Sequence, residues 1–214
     1  MQDLPSDHNT DPAILTKRRM FGLLAATGAG LLASTPTASG FFNFFQFLSA
    51  APPGTLDAHD IPEEWLPRLG SQLPSYVHYL SSLRLKHVSV RQIIAPHTKS
   101  RGSTKNTLPP KSMWRNIRET ANVVDALSSR LDLEPRELIS VYRSPAYNAR
   151  CAGAKRGSYH LINNAIDIKY PCSPGKVTAM AREMVKAGIF QGGVGGYSSF
   201  THVDTRGKAA NWGR

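Results

Sequence analysis

Acidic residues are scarce in this chain: 15 Asp and Glu stand against 26 Lys and Arg, a formal charge of +11 over 214 residues. A surface so short of negative charge predicts attraction to a polyanion. No helix-turn-helix, RNP-like or finger motif accompanies that charge, so nucleic-acid binding rests on charge alone and is not expected. Cysteine is nearly absent. The two present, Cys151 and Cys172, lack C-x-x-C or C-x-H spacing, which speaks against a thiolate metal site. In an oxidising compartment they can instead form a disulfide, and closing that loop would stabilise the fold by ~3 kcal/mol in the chain-entropy model. The composition is neither that of a disordered chain nor collagen-like; 41% apolar residues are enough for one domain with a real core.

What is present begins with the first forty residues. Lys17, Arg18 and Arg19 precede an apolar run, Phe21–Ala33, which passes into the small-residue stretch Ser34–Gly40. Basic, apolar and small-residue zones in that order form an export signal, and R-R-M-F-G-L resembles the twin-arginine class. The apolar run has 13 residues, too short for a permanent membrane span. Cleavage is expected after Ser39, with Thr37 three residues back. Removing residues 1–40 leaves 23 basic and 12 acidic residues, still +11. An exported, periplasmic or cell-envelope protein with that excess would meet an anionic cell-wall polymer, and a monomer is expected. The chain therefore divides into a signal over 1–40, an N-terminal arm with short helices and a basic loop over 41–110, and a core over 111–214 that forms one domain with 55–110.

Residues 41–54 are strongly apolar before breaking at two prolines and a glycine, and read either as a buried arm or as a linker. Two short packing helices are expected after Pro62 and Pro74, from the helical spacing of Trp65, Leu66 and Leu69 and of Tyr76, Val77, Leu80 and Leu83. Residues 89–110 read as a long basic surface loop bordering a cleft. His87 and His97 near it have no spaced partner and read as ordinary exposed or hydrogen-bonded histidines. Ser112 is a candidate N-cap for a core helix carrying Met113, Ile117, Thr120, Val124, Leu127 and Leu131 on one stripe. E-L-I-S-V-Y-R then reads as a strand delivering Arg143.

Metal-ligand chemistry concentrates in S-Y-H-L-I-N-N-A-I-D, where His160 and Asp167 lie seven residues apart, and in T-H-V-D, where His202 follows. A catalytic zinc takes three nitrogen or oxygen ligands and keeps a fourth position for water. Between the two motifs Ser173 caps a helix with Pro174 at its first position; Val177, Met180, Ala181, Met184 and Val185 form its buried face, and Gly188 lies past its end. G-G-V-G-G-Y follows, whose glycines allow close backbone approach. If T-H-V-D is a strand, His202 and Asp204 project from one face and Thr201 and Val203 from the other. Asp204 is then placed to orient or deprotonate a zinc-bound water or to hold an outer hydrogen bond, and can alternatively pair with Arg206.

Together Y-R-S-P-A-Y-N, G-A-K-R-G-S-Y-H with its following Asp167, and G-G-V-G-G-Y-S-S-F-T-H-V-D-T-R-G followed by Trp212 resemble the zinc D-Ala-D-Ala carboxypeptidase and murein endopeptidase family. The wider superfamily includes lysostaphin-type peptidases and the hedgehog domain. The resemblance covers roughly residues 137–213. It implies one zinc ion on His160, Asp167 and His202, with Arg143 gripping a substrate carboxylate or backbone and Ser158 and Tyr197 lining the cleft. Arg143 can alternatively be an ion pair at the edge of the core. Peptidoglycan is the implied partner, and hydrolysis of its peptide amides by a DD- or LD-carboxypeptidase or endopeptidase is the implied activity; non-hydrolytic binding of wall peptide is the alternative. Two departures stand out: Asn163 replaces a usual glycine, and Ser199 falls where some branches carry an acidic base, which leaves Asp204 as the acidic candidate. The expected fold is α+β, with a small antiparallel sheet flooring the zinc cleft and helices on its other face.

Overall fold

The chain is seen in a computed structural model that describes residues 61–213, so the expected signal and the 41–54 segment lie outside the described residues. Two short helices come first, α1 (Trp65–Leu69) and α2 (Leu73–Ser81), with Pro74 in the first turn of α2, where its missing N–H costs nothing. The next stretch differs from the expected loop. Ser89 Oγ accepts from Gln92 N while Gln92 Oε1 accepts from Ser89 N, a reciprocal cap that starts α3 (Val90–Ile94). A 3-10 turn, Ala95–Thr98, and a hairpin of β1 (Ser100–Arg101) and β2 (Thr104–Lys105) follow. His97 is fully buried, and Asn106 fastens the hairpin inward by donating to the Pro96 and Tyr142 carbonyls and accepting from Ser144 N.

The core helix α4 (Ile117–Leu131) begins five residues after the expected cap, because Lys111–Asn116 winds as a tighter 3-10 turn. That turn drives Trp114 inward, where its ring lies 5.0 Å from Tyr76 and its indole N–H donates to Pro109 O. The remaining elements are β3 (Glu137–Ser140), α5 (Pro145–Asn148), a 3-10 turn at Tyr159–Ile162, β4 (Ala165–Lys169), α6 (Pro174–Lys186), β5 (Gly193–Gly196), β6 (Thr201–Asp204) and β7 (Ala210–Gly213). Helix α6 starts and stops as expected: Ser173 Oγ accepts from Lys176 N, and Gly188 adopts φ +73° just beyond the last turn.

Five strands form one sheet in the order β3-β4-β6-β5-β7. All pairings are antiparallel except β5 with β7. The exception follows from topology: β6 already lies between β4 and β5, so the chain leaving it reverses and reaches the free edge of β5, which it then meets in parallel. Ile166, Ile168, Val194 and Val203 cover one face of this sheet and are buried against α4 and α6. The opposite face carries Asp167, His202 and Asp204. The α+β class and the placing of helices on one face agree with the sequence.

Candidate metal centre

Three backbone devices bring the ligands together. Asp167 on β4 and His202 on β6 are cross-strand partners, so their side chains rise from adjacent points on one face. His160 comes from the 3-10 turn before β4, which Asn163 ends at φ +59°. Asn therefore holds the left-handed conformation for which a glycine would ordinarily be used, and its amide donates to Met113 O. Ligand atoms of His160, Asp167 and His202 lie within 4.8 Å of one another, and all three residues are buried.

The two histidines are oriented differently. His160 Nδ1 donates to Val141 O at 2.6 Å, leaving Nε2 toward the site. That Nε2 is 3.2 Å from Asp167 Oδ1 yet off a hydrogen-bonding line, a buried nitrogen without a hydrogen-bond partner. His202 presents Nδ1 to Asp167 Oδ1 at 2.8 Å and Nε2 to Asp204 Oδ2 at 3.0 Å. Burial lowers the His160 pKa more than Asp167 restores it, so the imidazole is neutral, as a metal ligand must be. Burial also opposes charge on His202, but hydrogen bonds to Asp167 and Asp204 outweigh it and raise the pKa. Burial likewise opposes ionisation of Asp167, and the two histidines overcome it and hold the carboxyl well below its usual range. An orphaned buried nitrogen, two imidazoles and a carboxylate at this spacing fit a zinc ion.

The cleft above encloses about 300 Å³ and is lined by Arg143, Lys155, Ser158, Tyr197, Arg206 and Trp212, among others. Ser158 and Tyr197, the residues expected to line a cleft, are both in this lining. Arg143 stands past the end of β3, which stops at Ser140. Its Nε donates to Ser140 Oγ at 2.6 Å and its Nη2 to Asp167 Oδ2 at 2.5 Å. The ion pair considered for this arginine is therefore made with a ligand of the centre itself.

Of the roles considered for it, Asp204 matches by its contacts the outer hydrogen bond to His202 and the pair with Arg206. It is fully buried; Oδ1 accepts from Gly193 N, Arg206 N and Arg206 Nε, and Oδ2 accepts from Arg206 Nη2 and His202 Nε2. Burial opposes its ionisation, but Arg206 and His202 hold its pKa below the usual carboxylate range. Both carboxylate oxygens are thus committed, one of them to His202 Nε2. The disulfide considered for Cys151 and Cys172 is not formed: both are free, with Cys151 Sγ donating to Tyr147 O and Cys172 packed against the hydrophobic core. The sequence left Tyr159 without a role, used Trp212 only in the resemblance, and gave Arg206 only as the alternative partner of Asp204, a pair that the structure shows. The usable signal was local, since Arg206 follows Asp204 by two residues and a tryptophan follows the glycine strand.

Donors that are all nitrogen or oxygen, converging below an open cleft, are the kind of set that catalytic rather than structural zinc takes. Residues 86–204, more than half of the chain, match the model of a family described as Peptidase M15, and the chain belongs to that family. Membership makes it a peptidase of a zinc-dependent kind. No curated protein and no solved structure matches the chain. Among the described residues, no helix is long and apolar enough to cross a membrane.

Proposed function

We propose that the protein hydrolyses amide bonds in the peptide stems or cross-links of peptidoglycan. The observation that carries this reading is the convergence of His160, Asp167 and His202 beneath a cleft whose uncommitted charge is positive. One zinc ion held by those three side chains supplies Lewis acidity and a water of lowered pKa. The chain's own residues do the rest. Arg143 spends two of its five donors on Ser140 and Asp167 and keeps others for a substrate carbonyl or carboxylate. Lys155, on the exposed loop at the rim, adds a flexible cation suited to a free carboxylate of a peptide stem. The export signal expected over residues 1–40 delivers this activity to the periplasm or cell envelope, where the net charge of +11 favours residence on an anionic wall.

One observation favours the non-hydrolytic alternative: Asp204 is closed off and Ser199 stands where an acidic base could have been. Digestion of defined muropeptides by the full, zinc-loaded chain, read by mass spectrometry, separates the two. Paired products whose masses sum to substrate plus water support hydrolysis. Stoichiometric zinc with intact muropeptide would leave a wall-binding protein, and absence of both zinc and products would sink the metal reading.

A further inference from the structure

The second contact of Asp204 reaches beyond the ligands. Arg206 grips Asp204 with two parallel donors, Nε to Oδ1 at 2.7 Å and Nη2 to Oδ2 at 2.5 Å, and adds its own backbone N–H at 3.3 Å. Its guanidinium carbon also lies 4.4 Å from the ring centre of Tyr159 and 5.2 Å from that of Trp212. Those rings belong to different walls of the cleft. Tyr159 is the residue before His160, and Trp212 on β7 packs 5.3 Å from the His202 ring.

The sheet leaves room for this arrangement with glycines. A Cβ at Gly193 would meet Asp204 Oδ2 at 2.5 Å and Arg206 Nη2 at 2.7 Å; one at Gly195 would stand 2.5 Å from the Trp212 indole. Side chains at either position would displace the clamp or the ring that covers it. The ion pair and the cation–π contacts thus occupy a space that the β5 backbone keeps open.

We infer that Arg206 is a positioning residue for the metal centre: by fixing Asp204 it makes that carboxylate the acceptor for His202 Nε2–H and leaves Nδ1 as the nitrogen that binds the ion. The two histidines reach this state by different means. His160 is oriented by a backbone carbonyl, which cannot move independently of the fold. His202 depends on a side-chain carboxylate, and that carboxylate takes its direction from Arg206. Without the guanidinium, Asp204 is a buried anion left with Gly193 N, the backbone N–H of residue 206 and His202 as partners, and no two-pronged contact fixes its plane. Lysine cannot replace the function fully, because a single ammonium does not span both carboxylate oxygens in one plane.

This inference rests on the His160, Asp167 and His202 site and is tested beside it. Zinc affinity of the full chain is measured by chelator competition for the wild type, Arg206→Ala and Arg206→Lys, with thermal unfolding of each metal-free protein as a check on folding. Loss of an outer partner of a ligating histidine weakens metal binding by about 10–100-fold. Arg206→Ala is expected in that range and Arg206→Lys between it and the wild type. With 113Cd in place of zinc, the wild type should show coupling of the metal to His202 Nδ1, and the lysine variant a weakened or divided signal.

A wild type that binds no zinc overturns the site and the inference with it. A wild type that binds zinc while folded Arg206→Lys keeps wild-type affinity and an unchanged 113Cd pattern overturns the inference alone. If Arg206→Ala does not fold, the lysine variant decides. An arginine that served only substrate would leave both readouts where they are.

Discussion

The two faces of the central sheet are, on β4 and β6, one residue apart and opposite in chemistry. On β4, Ile166 and Ile168 are packed beneath the sheet while Asp167 between them is a candidate ligand; on β6, Val203 is core while His202 lines the cleft and Asp204 is buried on the same side as His202. The apolar face draws its stability from area removed from water and tolerates modest change in shape. The polar face consists of charged groups whose burial is costly unless every atom is matched. The lesson is one of division of labour: packing on one side holds the strands at a spacing that places the ligands on the other.

That division can be broken from either side. The largest effect is expected for Asp167→Ala, which removes a donor from the cluster and a partner from Arg143; zinc affinity should fall by more than about 100-fold, beyond what outer-shell changes cause. Isothermal titration on the folded variant checks it, and a small change would remove Asp167 from the ligand set. Next comes Ile168→Ala on the buried face, a truncation expected to cost about 2–5 kcal/mol in urea unfolding while the folded fraction binds zinc as before. Affinity lost in step with stability would show that the two faces are not separable.

Gly195→Ala tests the boundary between them, since the new methyl collides with Trp212. A penalty of about 1–3 kcal/mol is expected from overpacking, together with lower peptidase activity. Relief by a second change, Trp212→Leu, would locate the collision. The smallest effect concerns a histidine away from the cleft. Burial lowers the pKa of His97 from 6.5 to about 3, so it is neutral in the fold and takes up a proton on unfolding in mild acid. Protons bound by the unfolded state then exceed those bound by the folded state, and stability falls with pH: about 1 kcal/mol over the first unit below pH 6.5. His97→Gln should remove that slope from the unfolding profile, and an unchanged slope would assign it to other groups.

The cluster of His160, Asp167 and His202 was legible because spacing and alternation are properties of the sequence: a histidine and an aspartate seven apart, then a histidine two before an aspartate on a strand. Helix α6 was legible for the same reason, its serine cap, proline and terminal glycine all being local. Arg143 was found, but its partner was not, since that depends on where β3 stops pairing. The cap of α3 was present as S-V-R-Q and was obscured by the basic residues around it. Strand β7 carries too few residues to show alternation, and its pairing with β5 is decided by which sheet edge remains free. Asp204 illustrates the limit best: its side of the strand and a pair with Arg206 could be read, while the Gly193 N–H contact and the full enclosure depend on three-dimensional neighbours.

The other free edge of the sheet, β3, is guarded in a way that bears on how the protein behaves among copies of itself. Lys99 Nζ donates to Ile139 O and pairs with Glu137, both on that strand, at 2.9 Å each. One outward carbonyl is thereby taken, a charged pair stands beside it, and the irregular pairing at Leu138 and Ser140 bends the edge out of register for a straight partner. Edges blunted by lysine and by bulges resist strand-to-strand aggregation. Colloidal stability at this edge is therefore supplied by the same 89–110 segment that otherwise looks like an ornament of the fold, and shortening that segment would expose a template for sheet extension.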